Sequence, residues 1–286
     1  MTGAGGTEDL TMTIKTMSVI LDLATERPAV ALATDLAKRL GAQLTGVAPI
    51  FDPLIPAYAA TPMPAELLVA TREHAVDQAQ KAAKAFKDGT AAAGIGAESF
   101  VADVVAGGYF DALLDHCRLS DLVVIGQDHP VQTEPARIPA IEAVMFRSGA
   151  PLLLVPRDGE AVLNEENAMI AWDGSGPAAR AVRDALPLLE RAKTVEVVSV
   201  GNAGDDQDVL SGLIAYLARH GVNATAKVIA RDSAGIADTL IAHASAIKAG
   251  WMVMGGYGHS RLREFVVGGT TRHMIDAATL PVFMAH

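Results

Sequence analysis

The run Ser18-Val19-Ile20-Leu21-Asp22 is apolar and closes on an acid, and Ala168-Met169-Ile170-Ala171-Trp172-Asp173 does the same 151 positions later. Other landmarks recur in unchanged order. Asp111-Ala112-Leu113-Leu114-Asp115-His116 answers Asp238-Thr239-Leu240-Ile241-Ala242-His243 at an offset of 127. Leu122-Val123-Val124-Ile125-Gly126 answers Trp251-Met252-Val253-Met254-Gly255 at 129, and the stretch from Ala150 to Val155 answers Leu280 to Ala285 at 130. Self-similarity on this scale means two copies of one unit. The fall from 151 to 127 leaves the first copy about 24 residues longer, an excess expected around the proline-rich stretch from Pro49 to Pro64, which reads as a lid or an interface loop.

Within each copy, short continuous apolar runs alternate with helical periodicity, the pattern of parallel strands covered on both faces by helices. In the second copy the expected strands are Ala168 to Trp172, Val195 to Val200, Ala224 to Ile229, Trp251 to Met254 and Pro281 to Met284. Ala178, Val182, Ala185 and Leu189 form an apolar helical stripe, with Pro187 expected to bend that helix. Val209, Leu213 and Leu217 form another, with Gly221 placed to end it. The fold class is therefore α/β, two open, doubly wound parallel-sheet (Rossmann-like) domains in tandem. Their expected limits are a flexible extension over 1–16, a first domain over 17–157, a polar linker over 158–167 and a second domain over 168–286.

Composition narrows the function. Of 286 residues, half are hydrophobic and 20% charged, which suits a packed core and not a disordered chain. The net charge of −10 opposes nucleic acid. Cys117 is the sole cysteine, so neither an intrachain disulfide nor a cysteine-built zinc site is available, and a reducing cytoplasm is expected. It reads as a packed thiol, not a nucleophile. No export signal opens the chain and no run of eighteen uncharged apolar residues follows, so no membrane partner is expected.

In doubly wound sheets ligands bind beyond the carboxyl ends of the strands, where strand order reverses. Asp173-Gly174-Ser175 and the glycine-rich stretch from Gly255 to Thr271 fall there. Glycines let main-chain N–H groups approach a phosphate, and Gly268-Gly269-Thr270-Thr271 opens a helix whose unpaired N–H groups favour negative charge. Arg261, Arg263 and Arg272 outnumber Glu264, making this loop basic in an acidic chain.

The spacing Gly255-x2-Gly258-x9-Gly268, between an apolar strand and a helix leading into Leu280-Pro281-Val282, resembles the nucleotide-binding signature of the universal stress protein family. The resemblance covers Met17 to Arg157 and Asn167 to His286, a tandem arrangement within the adenine nucleotide alpha-hydrolase-like class. It implies that Asp173 binds the adenosine end of ATP, that the backbone at Val200 contacts adenine, and that Gly255, Gly258, His259, Ser260, Gly268, Gly269 and Thr270 hold the phosphates, with Mg²⁺. One departure is Gly269, where the family prefers Ser or Thr. The resemblance also implies pairing along edge strands: an internal pseudo-dimer through Pro151 to Pro156 and Pro281 to His286, with a homodimer of the whole chain as a further option.

The first copy departs further, with His129, Pro139 and Ala140 in place of Gly258, Gly268 and Gly269, and with Asp128 and Glu134 in the same loop. Proline has no N–H to give. A carboxylate about 4 Å from a phosphate charge costs up to roughly 4 kcal/mol at an effective dielectric near 20. A charge-assisted hydrogen bond returns about 1.5–3 kcal/mol. One nucleotide site per chain is expected, in the second copy. Asp22 reads as a helix cap, a role also open to Asp173, while His259 and His273 show no orienting partner. The function expected is an ATP-binding regulator or sensor of the stress response. No catalytic constellation stands out, although slow hydrolysis or autophosphorylation at Ser260, Thr270 or Thr271 is compatible. An adenylylating enzyme and a non-binding scaffold are the alternatives.

Overall fold

The computed structural model describes residues 13–23, 28–51, 64–104, 110–128, 134, 136–158, 162–201, 207–257 and 269–286. The first half runs β1 (Thr16–Ile20), α1 (Pro28–Leu40), β2 (Gln43–Phe51), α2 (Ala65–Ala92), β3 (Ala97–Val104), α3 (Asp111–Cys117), β4 (Leu122–Gly126), α4 (Arg137–Arg147) and β5 (Leu152–Val155). The second repeats it with β6 (Asn167–Ala171), α5 (Gly176–Leu189), β7 (Thr194–Val200), α6 (Gln207–Arg219), β8 (Ala224–Ile229), α7 (Ile236–Ala246), β9 (Trp251–Gly255), α8 (Gly269–Ala277) and β10 (Val282–Ala285).

The strands form one ten-stranded sheet in the order β3-β2-β1-β4-β5-β10-β9-β6-β7-β8. All neighbours are parallel except β5 and β10, which pair antiparallel with Leu153 opposite Phe283. These two strands are wholly buried, since Leu-Leu-Leu-Val meets Val-Phe-Met-Ala with helices on both faces. Strand order reverses between β1 and β4, and again between β6 and β9. Alternate strand residues feed two cores. Val19 and Leu153 pack with α1, α2, α5 and α6, while Ile20 and Leu154 pack with α3, α4, α7 and α8. The doubly wound α/β class is thus the observed one.

Local chemistry explains the helix ends near the site. Ser175 caps α5 by accepting from the Ala178 N–H at 3.2 Å, and Pro177 occupies the first turn, where a missing N–H costs nothing. The stripe Ala178, Val182, Ala185 and Leu189 is buried as expected, and the helix runs through Pro187 to Leu189. Leu213 and Leu217 are buried too, and Gly221 follows α6 at φ +71°.

The excess of the first half is shared differently from the expectation. The connection between β2 and α2 covers 52–64, against 201–206 in the second half, but α2 itself has 28 residues against 13 in α6. Its alanine-rich sequence sustains the longer helix. Residues 52–63 of the proline-rich stretch lie outside the described residues. β1 begins at Thr16, inside the stretch read as an extension, and Ile14 ahead of it is buried.

That entry is pinned by Asp121, whose carboxylate accepts from the N–H groups of Lys15 and Thr16 at 2.8 and 2.9 Å and from the Thr16 hydroxyl at 3.0 Å. Burial opposes the charge, but these three donors together hold the carboxyl below its usual range. A carboxyl depressed in the folded state contributes stability above its unfolded pKa of about 3.9, and that stability is lost as pH falls through the lower folded value. Asp121→Asn is therefore expected to cost about 1 kcal/mol at neutral pH, and less below about pH 3. Urea unfolding at pH 7 and pH 3 checks this.

Candidate functional site

At the reversal between β6 and β9 the carboxyl ends of three strands and the first turns of two helices enclose a cavity of about 310 Å³. That is the lower end of the range for small-molecule sites. Its floor is apolar, with Val198, Leu240 and Met254 all buried. Its rim is polar: Asp173 follows β6, Ser199 and Val200 end β7, and Gly269 and Thr270 open α8. An apolar slot for a flat ring thus adjoins a helix N-terminus suited to an anion.

The structure brings Asp173, Val200, Gly255, Gly269 and Thr270 together around this one cavity. Gly258, His259, Ser260 and Gly268 lie outside the described residues, as do Arg261, Arg263 and Glu264. Asp173 is exposed and does not cap α5, a task that falls to Ser175; its Oδ1 accepts from the Ser175 N–H at 3.0 Å. Gly255 has a packing role, because a Cβ there would stand 2.5 Å from the Ala178 N and 2.9 Å from its Cα. Gly269 has open space where its Cβ would be.

Several residues are committed in ways their sequence context does not disclose. Thr271 is buried, and its hydroxyl accepts from the Tyr257 N–H at 3.0 Å, tying the end of β9 to the first turn of α8 at the cavity wall. Arg272 lies in an ion-pair cluster with Glu142 at 3.3 Å and Asp276 at 3.5 Å. His273, read as lacking an orienting partner, has one: its Nε2 stands 2.9 Å from Asp238 Oδ1, a residue 35 positions earlier on the facing α7. Cys117 is buried in the core, and desolvation pushes its thiol up to about 12, as an unreactive packed thiol requires. Among the described residues no group of three or more His, Cys, Asp or Glu is arranged to hold a metal, and no helix is long and apolar enough to cross a membrane.

The corresponding corner of the first half carries a buried ion-pair cluster. Asp22 is buried, and its Oδ1 lies 2.7 Å from Arg137 Nη2. Glu134 Oε2 meets the same nitrogen at 2.5 Å, Glu134 Oε1 accepts from the Leu23 N–H at 3.1 Å, and Asp128 Oδ1 accepts from the Glu134 N–H at 2.8 Å. Desolvation opposes the charge of Arg137, yet these carboxylates raise its pKa and hold it protonated. Aligned at the offset of 129, Val266 is the residue that corresponds to Arg137 in the sequence of the second half, and it lies outside the described residues.

No protein-family model matches this sequence, and no curated protein matches it. Solved structures do match in shape. A universal stress protein from Archaeoglobus fulgidus DSM 4304 superposes with a TM-score of 0.68 at 17% identity over 96% of both chains. A functionally unknown protein from Pseudomonas aeruginosa PAO1 gives 0.58 at 14% identity, over 95% of this chain and 92% of its own.

Proposed function

We propose that this chain, which has the fold of a universal stress protein along nearly its whole length, is an ATP-binding regulator with one nucleotide site, in its second half. The observation that carries this reading is the contrast between the two strand reversals. One has an exposed carboxylate, an apolar slot and an open helix N-terminus around a cavity, and the other has its equivalent carboxylate buried against Arg137. The slot takes adenine, Asp173 takes the ribose hydroxyls as acceptor, and the amides at Gly269 and Thr270 face the phosphates. With no carboxylate cluster among the described residues to hold it, Mg²⁺ comes with the phosphates. The two halves then act as an internal pseudo-dimer across β5 and β10, in the cytoplasm, with binding as the signal and no rapid turnover.

Gly269 supplies a direct test, because a side chain there meets nothing within 4 Å. Gly269→Ser adds the hydroxyl preferred in the family pattern and is expected to tighten Mg·ATP binding about threefold to tenfold, the worth of one added hydrogen bond. Equilibrium dialysis with labelled ATP measures it. Unchanged or weaker binding would mean that the phosphates lie elsewhere.

A further inference from the structure

Glu142 belongs to α4, in the first half, yet its carboxylate serves the second. Its Oε1 accepts from the Tyr257 hydroxyl at 2.9 Å and from Arg272 Nη1 at 3.3 Å. One turn further along α4, the Phe146 ring lies 4.8 Å from the Tyr257 ring and meets the His286 imidazole edge-on at the same distance. Between them, Met145 packs on Gly256 so closely that a Cβ there would stand 2.3 Å from its sulfur. Tyr257 holds φ at +52°, a left-handed conformation unfavourable for an L-residue, which persists only when the surroundings over-determine it. Here three contacts do so: the hydroxyl on Glu142, the N–H on Thr271, and the ring on Phe146. Burial and the adjacent carboxylate keep the Tyr257 hydroxyl protonated well above its ordinary range, so it remains a donor. The base of the clamp is fixed too, because α4 begins at Arg137, buried against Asp22 and Glu134.

We propose that Glu142 is a positioning residue for the phosphate end of the nucleotide site: by holding Tyr257 and Arg272 at once, it makes a residue of the first half necessary for full ATP affinity in the second. This rests on the nucleotide reading above. Tyr257 follows β9, Arg272 lies in the first turn of α8, and both elements border the cavity. Releasing either residue frees the backbone that faces the phosphates and leaves the apolar slot between β7 and α7 as it was.

Binding of Mg·ATP and of adenosine to the full chain separates these effects. Glu142→Ala and Tyr257→Phe are each expected to weaken ATP about tenfold, the worth of one charge-assisted hydrogen bond, and to leave adenosine unchanged. Glu142→Gln retains an oxygen acceptor for the tyrosine and keeps most of the ATP affinity. The double variant Glu142→Ala with Tyr257→Phe is no weaker than the worse single one, since both remove the same contact. If Glu142→Ala fails to fold, Tyr257→Phe carries the comparison, because it deletes one hydroxyl. Equal losses for ATP and adenosine, or no loss for ATP, would overturn the inference while leaving the nucleotide site standing. A wild-type chain that binds neither ligand would remove the site itself, and the inference with it.

Discussion

Arg137→Ala is expected to lower the stability of the chain by about 3–5 kcal/mol, the cost of stranding buried carboxylates without their counterion. Arg137 has a side-chain exposure of 2%, Asp22 of 9% and Glu134 of 14%. Removing the guanidinium leaves two carboxylates facing each other in a poorly solvated corner, with Asp128 nearby. Each then takes up a proton or draws water into the core. Urea unfolding followed by circular dichroism measures the change. Adding Asp22→Asn and Glu134→Gln to Arg137→Leu removes every charge of the cluster, and much of the loss is expected to return. A single-variant loss under about 1 kcal/mol would mean that the ion pair is solvated and does not close the corner.

The second large effect is at Gly255. A methyl group there meets the backbone N and Cα of Ala178 at 2.5 and 2.9 Å, and the Pro177 carbonyl carbon at 2.9 Å. None of these can swing aside like the end of a side chain, so β9 and the first turn of α5 must part. Gly255→Ala is expected to cost about 1–3 kcal/mol, as overpacking does. Because Asp173 and the Ser175 cap lead into that turn, nucleotide binding should also fall by more than tenfold, read by the same dialysis. Gly46→Ala is the matched control: its Cβ would sit 2.6 Å from the buried Phe86 ring, in the first half and far from the cavity. It is expected to lose comparable stability and keep its ATP affinity. Loss of affinity in both variants would mean that Gly255 acts only through global stability.

The repeat and the alternation of apolar runs placed the strands of the second half to within one residue, because buried parallel strands read as continuous apolar segments. The same reading located the strand reversal, and the family resemblance added Val200; with Asp173, Gly255, Gly269 and Thr270 it lines one cavity there. The pairings of charged side chains were not legible. Asp22 and Arg137 are 115 positions apart, as are Glu142 and Tyr257, and no periodicity connects them. The second contact depends on α4 lying beside the β9–α8 corner, where the antiparallel β5–β10 pairing joins the two halves. A signal for the first pair was present: Arg137 sits in a loop that already carries Asp128 and Glu134, and a cation among carboxylates in an apolar setting calls for a buried pair. For Tyr257 the signal was an aromatic residue between glycines, too common to read alone. The length of α2 was misassigned to a loop because prolines dominate the eye before Pro64 while alanines sustain the helix after it.

Isothermal titration of the intact chain with Mg·ATP tests the central claim most directly. The contrast between the exposed carboxylate of Asp173 and the buried, ion-paired one of Asp22 predicts a single binding event with a stoichiometry of one per chain. Two sites per chain, or no heat of binding at all, would contradict it.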